Sequence, residues 1–188
     1  MRKFAFGLSA ITFAALIGQA GAGGKGTTVD LGGDKSVAPA KWKSEEVDAK
    51  SKNFRLYQFA LPKAEGDKED ASLIVFSNKI TGGGDNENIK RWKGMMAAPV
   101  GKSIDDLTKV EKFKVGDIEV LYVDIAGTYL YKFPPFDPNA KVMPKENYRL
   151  IAIMFSNKNG PYSMRLTGPA KTVEANKKAF DEWIKAFK

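Results

Sequence analysis

Residues 148–188 read without strain as strand, tight turn, strand and helix, and no other stretch restricts the fold as much. The run YRLIAIMFS over residues 148–156 is largely apolar, Asn157-Lys158-Asn159-Gly160 is turn chemistry, residues 162–167 return, and Pro169 opens a helix. With the four turn residues as the loop, Phe155 faces Tyr162, Ile153 faces Met164 and Ile151 faces Leu166, which makes one face of the hairpin wholly apolar. The other face is mixed: Met154 with Ser163, Ala152 with Arg165 and Leu150 with Thr167. Val173, Phe180, Ile184 and Phe187 then recur at helical spacing, a stripe wide enough to cover such a sheet.

Upstream, two further runs have strand character: residues 54–61, which stop at Pro62, and ASLIVFS over 71–77, whose continuous apolarity requires cover on both faces. A helix from about Asn86 carries Ile89, Trp92 and Met96 and belongs on the sheet face opposite the C-terminal helix, with Asp85 suited to cap it. Residues 108–115 and 118–125 form a second hairpin about Gly116-Asp117, with glycine first as a type II′ turn requires. That register sets Lys114 opposite Glu119, Phe113 opposite Val120 and Val110 opposite Val123. From Pro134 the chain is expected to stay irregular as far as Asn147.

The N terminus has the three parts of a secretory signal: Arg2 and Lys3, an apolar run over residues 4–17, and small residues ending in Ala20-Gly21-Ala22. The run is shorter than the roughly 20 apolar residues that an anchor needs. Cleavage is expected before Gly23, giving a protein that is periplasmic or extracellular. Residues 23–40 read as a flexible tether, with Trp42 docking on a single domain over 41–188. Loss of the leader lowers the formal net charge from +8 to +6, spread along the chain without a cluster, so an anionic polymer or an envelope protein is a fitting partner and nucleic acid is not.

The chain has no cysteine and no histidine. That removes disulfides, thiolate nucleophiles, haem attachment, the commonest general base and the commonest zinc ligand. No cofactor and no metal site are expected. Of the chemistry that survives, Asp124 is the most interesting carboxylate, because it interrupts an apolar strand and needs a basic partner such as Arg149 or Arg165. The glycines before the first helix, among them Gly83 and Gly84, offer bare amides, and Lys90 and Arg91 follow as candidate anion contacts; Asp85 and Glu87 oppose that reading. The aromatic and proline-rich stretch is the stronger candidate. Tyr129, Tyr131, Phe133 and Phe136 fall within eight residues, and rings on a proline-stiffened loop make a preorganised contact surface.

The segments Gly160-Pro161-Tyr162, Leu166-Thr167-Gly168-Pro169 and Ile184-Lys185-Ala186-Phe187 resemble an uncharacterised family of exported bacterial proteins, as do residues 88–94 and 123–129. The resemblance runs from about Trp42 to the end. In the order of its elements the chain is similar to PsbP/Mog1-like domains, which implies an antiparallel sheet between helices, an accessory or binding role, and no inherited catalytic residues. The expectation is therefore one α+β domain, an α/β/α sandwich, acting as a non-catalytic binding or accessory protein through the aromatic loop. The alternatives are a small envelope hydrolase working through Asp124 and a structural envelope protein without a discrete ligand.

Overall fold

The computed structural model describes residues 25–78, 83–133, 137 and 139–188. The leader, residues 79–82 and Phe136 lie outside the described residues. In chain order the elements are β1 (Thr28–Leu31), β2 (Asp34–Val37), β3 (Lys43–Glu45), β4 (Arg55–Leu61), β5 (Ala71–Ser77), α1 (Asp85–Lys93), β6 (Met96–Ala97), β7 (Thr108–Val115), β8 (Ile118–Lys132), β9 (Val142–Asn157), β10 (Gly160–Pro169) and α2 (Ala170–Lys185).

Strands β3 to β10 form one antiparallel sheet in the order β3-β4-β5-β10-β9-β8-β6, with β7 also paired to β8. The β9–β10 hairpin has the register that its apolar alternation dictates, with Phe155 opposite Tyr162, Ile153 opposite Met164 and Ile151 opposite Leu166. The β7–β8 hairpin likewise sets Lys114 against Glu119 and Val110 against Val123, and Gly116 holds the positive φ of 57° that its turn demands.

Each face of the sheet is covered by one helix. On the first, Val173, Phe180, Trp183 and Ile184 of α2 join Leu73, Val75, Val120, Ile151, Ile153, Met164 and Leu166 in one core. Trp42 completes it, edge-on to Trp183 with ring centroids 5.3 Å apart. On the second, Trp92 of α1 and Met96 pack on Leu121, Val123, Ile125, Leu150 and Ala152. Each large side chain so buried contributes about 1.5–3 kcal/mol relative to exposure. The layout is the α+β sandwich that the pattern implied.

Three local readings are corrected. Residues 28–37, expected within a tether, form the β1–β2 hairpin, because Val29 and Leu31 alternate with polar residues and both are fully buried in the α2 core. The hairpin is fixed at its far end by reciprocal backbone bonds between Lys35 and Lys188, at 2.7 and 3.1 Å. Asp85 does not cap α1: Gly84 occupies the cap position, and the Asp85 carboxylate pairs with Lys112 at 2.7 Å. The chain is also not irregular to Asn147. β9 starts at Val142 and carries Pro144 within it, tolerated because this end of the strand has only β8 beside it.

Candidate functional site

The ends of β8 and β9 pair with each other beyond the span of β10, as Tyr129 with Lys145, Leu130 with Pro144, Tyr131 with Met143 and Lys132 with Val142. The two strands reach this ribbon through an irregularity. From the pair Gly127–Tyr148 to the pair Tyr129–Lys145, β9 spends one residue more than β8, and Asn147 in that bulge has φ 56°. Asparagine tolerates that conformation better than most side chains. The bulge stacks Tyr148 on Tyr129, with ring centroids 5.9 Å apart and planes within 10°, while Tyr131 follows at 6.2 Å.

A charged clamp holds this ladder of rings. Lys145 Nζ lies 5.2 Å from the Tyr131 centroid and 5.5 Å from that of Tyr148, and it donates to the Glu69 carboxylate at 2.7 Å. The Tyr148 hydroxyl donates to the same carboxylate. Burial, reinforced by that anion, pushes the Tyr148 phenol above its usual range. Partial burial would raise Glu69, yet the bonds from Lys145 and Tyr148 outweigh it and hold the carboxyl below its ordinary value.

Beyond the ladder, apolar side chains face solvent. Phe133 is 67% exposed, Met143 43% and Val142 38%. Of the four aromatics singled out in the sequence, Tyr129 and Tyr131 thus belong to a half-buried stack, Phe133 projects from the ribbon's end, and Phe136 lies outside the described residues. The reading from sequence took residues 129–144 as the contact surface without singling out Val142 and Met143, and it did not include Lys145 and Tyr148. The signal that could have found them is cross-strand pairing with residues 129–132, obscured by Pro144 and by the connection between the two strands.

Asp124 lies on the α2 face. Arg149 Nε and Nη2 donate to its two oxygens at 2.7 and 2.6 Å, a side-on fork, and Arg149 also bonds Glu174 on α2. Arg165 cannot reach Asp124: Asp124 pairs with Ile151 and Ile151 with Leu166, so the neighbouring Arg165 points to the opposite face. Nearby, the Tyr122 hydroxyl donates to Asp181 of α2 at 3.0 Å. These groups border a cleft of about 540 Å³ between β7, β8 and α2, which Lys109, Lys114 and Lys177 also line. The bond to Asp124, set against partial burial, makes Arg149 hold its proton even more firmly than usual. Both oxygens of the Asp124 carboxylate are thus engaged by one guanidinium.

Gly83 and Gly84 precede α1, where their carbonyls accept from Asn88 Nδ2 at 3.0 and 2.9 Å. Lys90 and Arg91 stand in the last turn of α1, where positive charge complements the helix dipole. Arg91 nonetheless reaches back to Asn88, whose amide bonds those carbonyls, so this cation and the glycines are linked through one side chain. Among the described residues no group of three or more Asp or Glu is placed to hold a metal ion.

Fold and site together define a single-domain α+β module bearing a projecting aromatic ribbon. No family model and no curated protein sequence matches the chain. Among solved structures it is similar to cyanobacterial PsbP (CyanoP) from Synechocystis sp. PCC 6803, at 14% identity and a TM-score of 0.45, over 91% of this chain and 95% of that one. It is also similar to PA94, a protein of unknown function from Pseudomonas aeruginosa, at 10% identity and a TM-score of 0.44, over 86% of this chain and 95% of that one. No helix of the described residues is long and apolar enough to cross a membrane.

Proposed function

We propose that this chain is an exported, non-catalytic binding or accessory module that captures an envelope protein through the tip of the β8–β9 ribbon. The observation that carries the reading is the exposure of Phe133, Met143 and Val142 on a ribbon whose base is held by stacked tyrosines and the Lys145–Glu69 clamp. Apolar side chains presented on a stiff support lose little entropy on binding. The fork between Arg149 and Asp124 favours this reading over hydrolysis by carboxylates, since it occupies the one carboxylate that the sequence singled out.

Replacing Phe133 and Met143 together by alanine tests the proposal. Both are exposed, so the free energy of unfolding should change by no more than is usual for surface substitutions, about 0.5 kcal/mol. Capture from an envelope extract, measured at low and high salt, should be lost at both. A protein retained by wild type and double variant alike would sink the reading. Retention at low salt only would reduce it to attraction by the net positive charge.

A further inference from the structure

On the sheet face that carries α1, the half formed by β4, β5 and β10 presents arginines where the other half presents aliphatic side chains. The cross-strand rows run Arg55, Phe76, Ser163 and then Gln58, Ile74, Arg165. Arg165 is half-buried at the middle of this surface. Its guanidinium lies 5.6 Å from the Phe76 ring centroid, and Nη1 donates to the Met95 sulfur at 3.3 Å, a weak acceptor.

Among the described residues, no ion pair includes Arg165, Arg55 or Arg91, whereas Arg149 has two. Arg55 Nη1 donates to the neutral Gln58 at 3.2 Å, and Arg91 to the neutral Asn88. Arg55 Nε and Asn78 Nδ2 are buried donors without an acceptor among the described residues. Burial pulls the Arg165 guanidinium below its usual range; Tyr129 opposes that effect, and Arg55 and Arg91 add to it by repulsion.

Three like charges gathered on one surface, two of them partly desolvated, none in an ion pair and with orphaned donors beside them, are unfavourable as they stand, and the Glu45 carboxylate of β3 is engaged by Gln58 Nε2 at 2.7 Å. A multivalent anion removes the cost. Guanidinium groups match the oxygens of a tetrahedral oxyanion in geometry, through paired charge-assisted hydrogen bonds. We propose that this surface is a binding site for a phosphate-class oxyanion, with Arg165 at its centre, Arg55 and Arg91 completing the positive lining, and the Asn78 amide as a neutral donor. The site is separate from the ribbon tip and does not depend on the function proposed there.

The test is calorimetric titration of the full chain with inorganic phosphate in Tris chloride at constant ionic strength, with glycerol phosphate and phosphatidylglycerol vesicles as parallel arms. Wild type should bind at least one of these. Arg165→Met should weaken that binding by about tenfold to a hundredfold, the loss expected for a charged hydrogen-bonding group. The same variant should raise the thermal midpoint of the ligand-free protein, since an unpaired charge gives way to an apolar side chain of similar length. Arg91→Gln, at an exposed helix position, should fold as wild type does and weaken binding about tenfold. Binding of phosphate or glycerol phosphate without vesicles would identify a small anion as the ligand. Vesicle capture that Arg91→Gln diminishes would identify a lipid headgroup. No binding in any arm, or binding unchanged in both variants, would overturn the proposal.

Discussion

A carboxylate inside an apolar strand needs a partner on its own face, and for Asp124 the antiparallel register supplies Arg149 and withholds Arg165. Asp124→Asn should lower stability by about 1–3 kcal/mol, because it discharges one side of a mostly buried fork while Glu174 still holds the guanidinium. Urea denaturation measures that loss, and partner capture by the ribbon should survive it; loss of a catalysed turnover instead would restore the hydrolase reading. The anomaly of Asp124 was legible in the sequence, since an acid among valine, leucine and isoleucine stands out. Its choice of partner was not. That choice depends on how β8 registers against β9, two strands separated by a connection whose length leaves the pairing open. The arginine surface was hidden for a related reason: Arg165 opposite Ala152 is visible in one hairpin, but Arg55 joins it only through β5.

Elements joined by short turns were readable because the turn fixes the register locally, as in β7–β8 and β9–β10. The ribbon was not, since Pro144 and the charged residues around it mask the alternation of a strand. The β1–β2 hairpin escaped because two apolar residues are too few to form a periodic signal, although both are fully buried. Gly127 is where the ribbon meets the rest of the sheet. A Cβ there would come within 2.5 Å of the Ala97 carbonyl oxygen, which belongs to the backbone of β6. Gly127→Ala should therefore push β6 away and cost about 1–3 kcal/mol. Hydrogen exchange should show the change in the Leu130 amide, which bonds Met95 at 2.9 Å, more than in the β5–β10 ladder. Uniform loss of protection across the sheet would contradict this account.

At the scale of the molecule, three phenols link stability to alkaline pH. Burial is the main cause that raises Tyr122, Tyr148 and Tyr162, with added repulsion from Asp181, Glu69 and the Asp34–Asp30 pair respectively. The folded state then keeps protons that the unfolded chain releases near pH 10. Their contribution is fully present below that pH and is lost as pH rises through the higher folded values. Phenolate absorbance from these three should grow together with the loss of the circular dichroism of the fold; full ionisation while the fold persists would show that burial does not govern them. The seat of the first hairpin has a consequence in time as well. Val29 and Leu31 lie in a core completed by α2, Lys35 bonds Lys188, and β5 has β10 as its inner neighbour. A chain that emerges from its N terminus, from a ribosome or through a pore, holds those surfaces open until the final helix arrives, so closure of this core is one late event and not a sequence of early ones.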